Sequence, residues 1–157
     1  MPYLNKNLRK FLAIDHGDRR IGLAISDETA TLARALFIIE HVSRSKDAER
    51  INDIARNEFC TDILVGVPYD SDGNEGPRAR KVLRFVSELK ELSELPVHLW
   101  DESGSTLKRQ NLSIQMGQSS KKRQQPHDDL VAAIILQDYL DCHWNPPITG
   151  MNDEETN

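Results

Sequence analysis

The sequence predicts a single α/β domain built on a mixed sheet, and three observations carry that reading. Two short apolar runs flank a Gly-containing turn near the start, Phe11–Ile14 and Ile21–Ile25 around His16-Gly17-Asp18. Strand and helix periodicities then alternate from residue 45 onward. No internal repeat or linker divides the 157 residues, a length that suits one compact core. The order read from the chain is βββαβαβα, a five-stranded mixed sheet flanked by helices.

The two opening runs read as hairpin strands, the second alternating Ile21, Leu23 and Ile25 with small residues. Leu36–Ile39 is a third β-rich run. Residues 45 to 59 switch to helical spacing, with Ala48, Ile51, Ala55 and Phe59 on one face and Ser45 as the cap. Ile63–Pro68 is continuously apolar, as befits a strand buried on both sides. YDSDGNEG is a loop, after which Pro77 opens a helix with Val82, Phe85, Val86 and Leu89 as its buried stripe. Pro96–Glu102 is the fifth strand, Ser105–Met116 a weaker helix, SSKKRQQ a polar basic loop, and Asp128–Asp141 a mostly apolar last helix. Residues 1–144 form the expected domain; residues 145–157, ending in MNDEETN, read as an acidic disordered tail.

Composition narrows the function classes. The chain is 38% hydrophobic and 29% charged, with no apolar run near the ~20 residues of a membrane span. The basic N-terminus lacks the apolar segment and cleavage site of a secretory signal, so a cytoplasmic protein is expected. Cys60 and Cys142 are isolated, which indicates neither a disulfide framework nor a zinc site. A net charge of -5 argues against broad coating by nucleic acid. Basic residues nevertheless gather at Arg19-Arg20, at Arg78, Arg80, Lys81 and Arg84, and at Lys121-Lys122-Arg123, and local patches bind phosphate under a negative total.

Carboxylates recur at the ends of elements: Asp15 ends the first strand, Asp101 and Glu102 the fifth, and Asp128 and Asp129 open the last helix. Strand ends beside helix termini are where open α/β sheets build sites. Acids converging there need a cation between them, and a hard all-oxygen set suits Mg²⁺ or Mn²⁺ on a phosphodiester. Each acid also has a plainer reading. Asp15 before His-Gly can form an Asx-turn, Asp128 or Asp129 can cap its helix, and alternation sends only one of Asp101 and Glu102 to a given face. Helical spacing does not choose between Asp128, on a line with Val131, Ala132, Ile135 and Tyr139, and Asp129, on a line with Ala133, Leu136 and Leu140. Arg19 and Arg20 can be solvated hairpin residues, and the Lys121–Arg123 loop a solvated tip. His127 reads best as a lone exposed histidine, and Phe85 and Trp100 as core. Gly66 and Gly73 read as strand and turn glycines, since no glycine-rich phosphate loop is present.

Four ordered segments together resemble the YqgF/RuvX family of ribonuclease H-like nucleases: AIDHGDRRIGLAISD, ILVGVPYDSDGNEGPRARKV, VHLWDESGST and SKKRQQPHDDLVAAIILQDYLD. The resemblance runs from about Phe11 to Asp141. It implies a ribonuclease H-like fold and a divalent-metal nuclease holding one or two Mg²⁺ or Mn²⁺ ions. By residue, it places Asp15 as the first-strand catalytic acid, Glu102 as the acid of the Asp-Glu motif and Asp128 as the acid of the last helix. Arg19, Arg20, Arg78, Lys121, Lys122 and Arg123 are the expected nucleic-acid contacts. The implied partner is structured RNA, in maturation of the 5′ end of 16S ribosomal RNA, or branched DNA as a Holliday junction resolvase, by a monomer or homodimer. The chain departs from the family pattern at Ser103-Gly104, where Arg-Leu is usual, and at Ala13, where glycine is common. The first departure removes a phosphate-binding guanidinium and raises a further alternative, a catalytically weakened RNA-binding assembly factor. A small-molecule phosphate-binding domain ranks last.

Overall fold

The computed structural model describes residues 8–102 and 128–144. Strands β1 (Phe11–His16), β2 (Arg20–Ser26) and β3 (Ala33–Glu40) come first. Helix α1 (Arg44–Asn57), β4 (Asp62–Val67), α2 (Pro77–Leu92), β5 (Val97–Asp101) and α3 (Asp128–Tyr139) follow, the last running into a π-helical turn at Leu140–Trp144. The expected order of strands and helices is present. The helix expected over Ser105–Met116, the basic loop and the acidic tail lie outside the described residues.

The five strands form one sheet in the order β3-β2-β1-β4-β5. β1 pairs antiparallel with β2 but parallel with β4, and β4 pairs parallel with β5. Local hairpins therefore build one half and helical crossovers the other, as the switch from strand runs to strand-helix alternation dictates. The β1–β2 turn is tight: Gly17 N–H donates to Arg20 O at 2.9 Å. A Cβ at Gly17 would come within 2.6 Å of that same carbonyl, so a side chain cannot be accommodated without moving backbone.

Alternation along the strands divides the core into two layers. Leu12, Ile14, Ile21, Leu23, Ile63 and Val65 pack with α1 and α2 on one face. Phe11, Ala13, Ala24 and Leu64 pack under α3, through Ala132, Ile135, Leu136 and Tyr139, on the other. Val82, Phe85, Val86 and Leu89 form the buried stripe of α2, as their spacing predicts.

Helix α1 corrects two expectations. Its cap is Ser43, whose hydroxyl accepts from Lys46 N–H at 3.2 Å, and Ser45 lies inside the first turn. Phe59 is not part of the buried face but 83% exposed. It sits past the helix end with φ of 57°, while Cys60 N–H reaches Ala55 O and Phe59 N–H reaches Arg56 O. This is a Schellman ending with phenylalanine where glycine is usual.

Candidate active site

Two of the three expected acids, Asp15 and Glu102, are located by following the sheet. Asp15 lies on β1 opposite Gly22 of β2. It shares the parity of Ala13, so it faces α3 and not α1 and α2. One step beyond the Ile14–Val65 pair, Gly66 of β4 stands beside Asp15, and Gly66 in turn pairs with Trp100 of β5. Glu102, two residues past Trp100, falls on that same face. Its Oε2 is buried and lies 2.8 Å from where a Cβ on Gly66 would stand, with Ile135 Cδ1 of α3 3.0 Å from the same point. Gly66 is thus a strand glycine with a purpose, since its missing side chain makes room for the Glu102 carboxylate.

Asp101 pairs with Val67 and is exposed, so Glu102 is the acid that turns toward α3. Alternation demanded that only one of the two face a given side, and the structure selects the second. Helix α3, which begins at Asp128, covers this face of the sheet and packs on it through Ala132, Ile135 and Tyr139. The structure thus brings Asp15 and Glu102 to one end and one face of the sheet, with the start of α3 over it.

Among the expected phosphate contacts, Arg20 opens β2 with the parity of Gly22 and Ala24 and therefore shares the Asp15 face; it is exposed. Arg19 is exposed in the turn, its carbonyl accepting from His41 N–H. Arg78 is exposed in the first turn of α2, near the β1–β2 turn, where its charge helps hold Asp18 below the usual carboxylate range. The larger cause of that shift is Lys81, which donates to Asp18 at 2.9 Å. Lys121, Lys122, Arg123 and His127 lie outside the described residues.

Phe85 is core, and Trp100 packs edge-on against Tyr139 at a ring separation of 5.8 Å. Cys60 is buried and Cys142 exposed, both as free thiols. Burial pushes the Cys60 thiol up to about 11, so it is a packing residue and not a nucleophile.

Two polar clusters have no signal in the sequence. Asp62, at the start of β4 and thus at the far end of the sheet from Asp15, accepts hydrogen bonds from Arg9, Thr61 and His98. Burial raises its pKa, but these three donors outweigh burial and hold it below the usual aspartate value. Arg9 also lies over the Trp144 ring at 5.1 Å, tying the π-helical turn to the sheet. The second cluster, His16, His41 and Asp47, is a group of three able to hold a metal ion, and it occupies the sheet face opposite Asp15. Separations of 25 and 6 residues match no ligand motif, so only the fold reveals it.

A sequence profile of the family described as "RuvX: Holliday junction resolvase" matches residues 9–142. A protein of Thermoanaerobacter pseudethanolicus named "Putative pre-16S rRNA nuclease" is 41% identical over 87% of this chain and 99% of its own length. A relative of the same name from Caldanaerobacter subterraneus subsp. tengcongensis is 36% identical over the same shares. Among solved structures, T. thermophilus RuvC in complex with a Holliday junction superposes with a TM-score of 0.59 at 14% identity, covering 83% of this chain and 92% of that one. The fowlpox virus Holliday junction resolvase gives 0.51 at 15% identity, covering 85% and 99%. At those identities the superpositions establish the fold, which is ribonuclease H-like.

Proposed function

The chain belongs to the RuvX family of nucleases, and from that premise we propose a divalent-metal endonuclease that trims the 5′ end of precursor 16S ribosomal RNA in the cytoplasm. The observation that supports it is the convergence of Asp15 and Glu102 on one sheet face around Gly66, with α3 opening at Asp128 above them. The ribosomal substrate follows the naming of relatives that match this chain over nearly their whole length.

The residues fit Mg²⁺ or Mn²⁺, because the donors are carboxylate oxygens and Gly66 leaves the Glu102 carboxylate a cradle that a side chain would fill. Asp15, Glu102 and Asp128 would hold one or two such ions. When bound, the ions supply Lewis-acid activation of water and stabilisation of the leaving oxygen. Asp15, on a central strand paired on both sides, gives that arrangement a rigid corner. Arg20, on the same face, orients the scissile phosphate, and Arg19 and Arg78 draw the flanking strand to the turn. Lys121, Lys122 and Arg123 complete the phosphate contacts.

The family's description as a Holliday junction resolvase supports a second reading, cleavage of branched DNA. A two-fold junction calls for a symmetric dimer, so a strict monomer in solution counts against it. Incubating the chain with precursor 16S RNA and with a synthetic four-way junction, each with Mn²⁺ or chelator, separates the readings. Metal-dependent cutting of the RNA supports the first, and cutting of the junction alone the second. Cutting of neither, with RNA held equally well in chelator, points to the assembly-factor alternative raised by Ser103-Gly104.

A further inference from the structure

Behind the Asp15 face, three groups converge that the nuclease reading leaves unused. His16 ends β1, His41 follows β3 and Asp47 lies in the first turn of α1. One ligating atom of each lies within 4.8 Å of the others. Asp47 is fully buried, and its carboxylate is aimed by the backbone: Oδ1 accepts from Val42 N–H at 3.0 Å, which turns Oδ2 toward both imidazoles. His41 Nδ1 hydrogen-bonds to Oδ2. His16 Nε2 lies 3.8 Å from the same oxygen, beyond hydrogen-bond range.

His16 is the informative member. Its side chain is 3% exposed, and its ring lies against Phe85 at 4.6 Å. Its Nε2 points into the cluster and has no hydrogen-bond partner among the described residues. Buried ring nitrogens are ordinarily satisfied, so an orphan aimed at a carboxylate and a second imidazole calls for an occupant. The nearby Lys81 ammonium, which would repel a cation, is engaged by Asp18.

We propose that His16 Nε2, His41 Nδ1 and Asp47 Oδ2 form a site for a divalent transition cation of the zinc class. Two imidazoles and one carboxylate are a borderline donor set that suits Zn²⁺ or Co²⁺ better than Mg²⁺. Metal–ligand distances of about 2.1 Å put tetrahedral ligands roughly 3.3 Å apart, so the His16–Asp47 gap closes by about half an ångström and the His41–Asp47 hydrogen bond opens. His41, with a side chain 25% exposed, gives the cation its approach and leaves the fourth position to water. Val42 N–H on Oδ1 supplies the supporting contact that ligating carboxylates normally have. A cation there clips together the ends of β1 and β3 and the start of α1, and it braces the Asp15 backbone from the opposite face.

The test is titration of the metal-stripped full chain with Co²⁺, read by visible absorption, followed by displacement with Zn²⁺. The expected result is an intense tetrahedral band saturating at one equivalent, lost in His41→Ala and retained in Asp15→Asn. In parallel, Zn²⁺ at about a hundredfold excess over Kd raises Tm by about 5–10 °C in the parent and not in His41→Ala. If His41→Ala does not fold by circular dichroism, His16→Phe, which keeps a ring against Phe85, takes its place. No band at one equivalent overturns the site, as does an equal band in the ligand variant or loss of the band in Asp15→Asn. Cleavage by Asp15→Asn at the parental rate would instead sink the nuclease site and leave the cobalt result standing.

Discussion

Asp15 and Gly66 sit side by side on the central strands, and their substitutions probe different things. Asp15→Asn keeps the shape of the side chain but removes a charge and turns one accepting oxygen into a donor. Cleavage in Mn²⁺ is expected to fall at least about 100-fold with an unchanged circular dichroism spectrum. Gly66→Ala leaves every acid in place, yet its methyl would stand 2.8 Å from Glu102 Oε2 and 3.0 Å from Ile135 Cδ1. Both are ends of flexible side chains and can yield, at a cost of about 1–3 kcal/mol. The Glu102 carboxylate must then leave its cradle. The Mn²⁺ concentration for half-maximal cleavage is expected to rise about tenfold, which a rate titration reads directly; an unchanged value would show that Glu102 holds no metal. Asp15 and Glu102 are legible in the sequence as acids at strand ends. Which of Asp101 and Glu102 faces the site is not, because alternation fixes only that they differ, and the anchor is the Gly66 contact.

At the scale of elements, the end of α1 and the start of β4 give measurable stability. Phe59 occupies a left-handed position at a cost of about 1 kcal/mol while burying almost nothing, so Phe59→Gly is expected to raise Tm by about 2–4 °C. Helical spacing puts Phe59 on the buried face because the pattern cannot see where the helix stops, and the backbone reverses at Phe59 itself. Asp62 is the counterpart at the far end of the sheet. Its pKa is depressed in the folded state, so its contribution is present above the ordinary aspartate value near 3.8 and is lost as pH falls through the lower folded value. Asp62→Asn should cost about 2–3 kcal/mol at pH 7 in urea unfolding, less than a fully buried pair because the Arg9 side chain is 35% exposed. The gap between parent and variant should narrow near pH 3 and leave RNA cleavage untouched. An equal gap at both pH values would mean that the Asp62 charge contributes nothing.

For the molecule as a whole, the hairpin strands followed by strand-helix alternation were enough to read a mixed sheet with helices on both sides. The continuous apolar run at Ile63–Pro68 marks a strand buried on both faces, and the sheet adds that it pairs parallel with β1. Long-range polar groups were not legible: Arg9 meets Asp62 and His16 meets Asp47 only once the sheet is assembled. The fold sorts its polar chemistry by position, with acids under α3 at one end, an imidazole-carboxylate cluster behind them and a structural ion pair at the other end. The first of these is the proposed nuclease centre. Its most direct measurement compares the parent chain with Asp15→Asn on precursor 16S RNA, each with Mn²⁺ and with chelator. The expected result is cutting by the parent in Mn²⁺ alone, with no product from Asp15→Asn in either condition. Equal cutting by the two proteins, or parental cutting that persists in chelator, would contradict it.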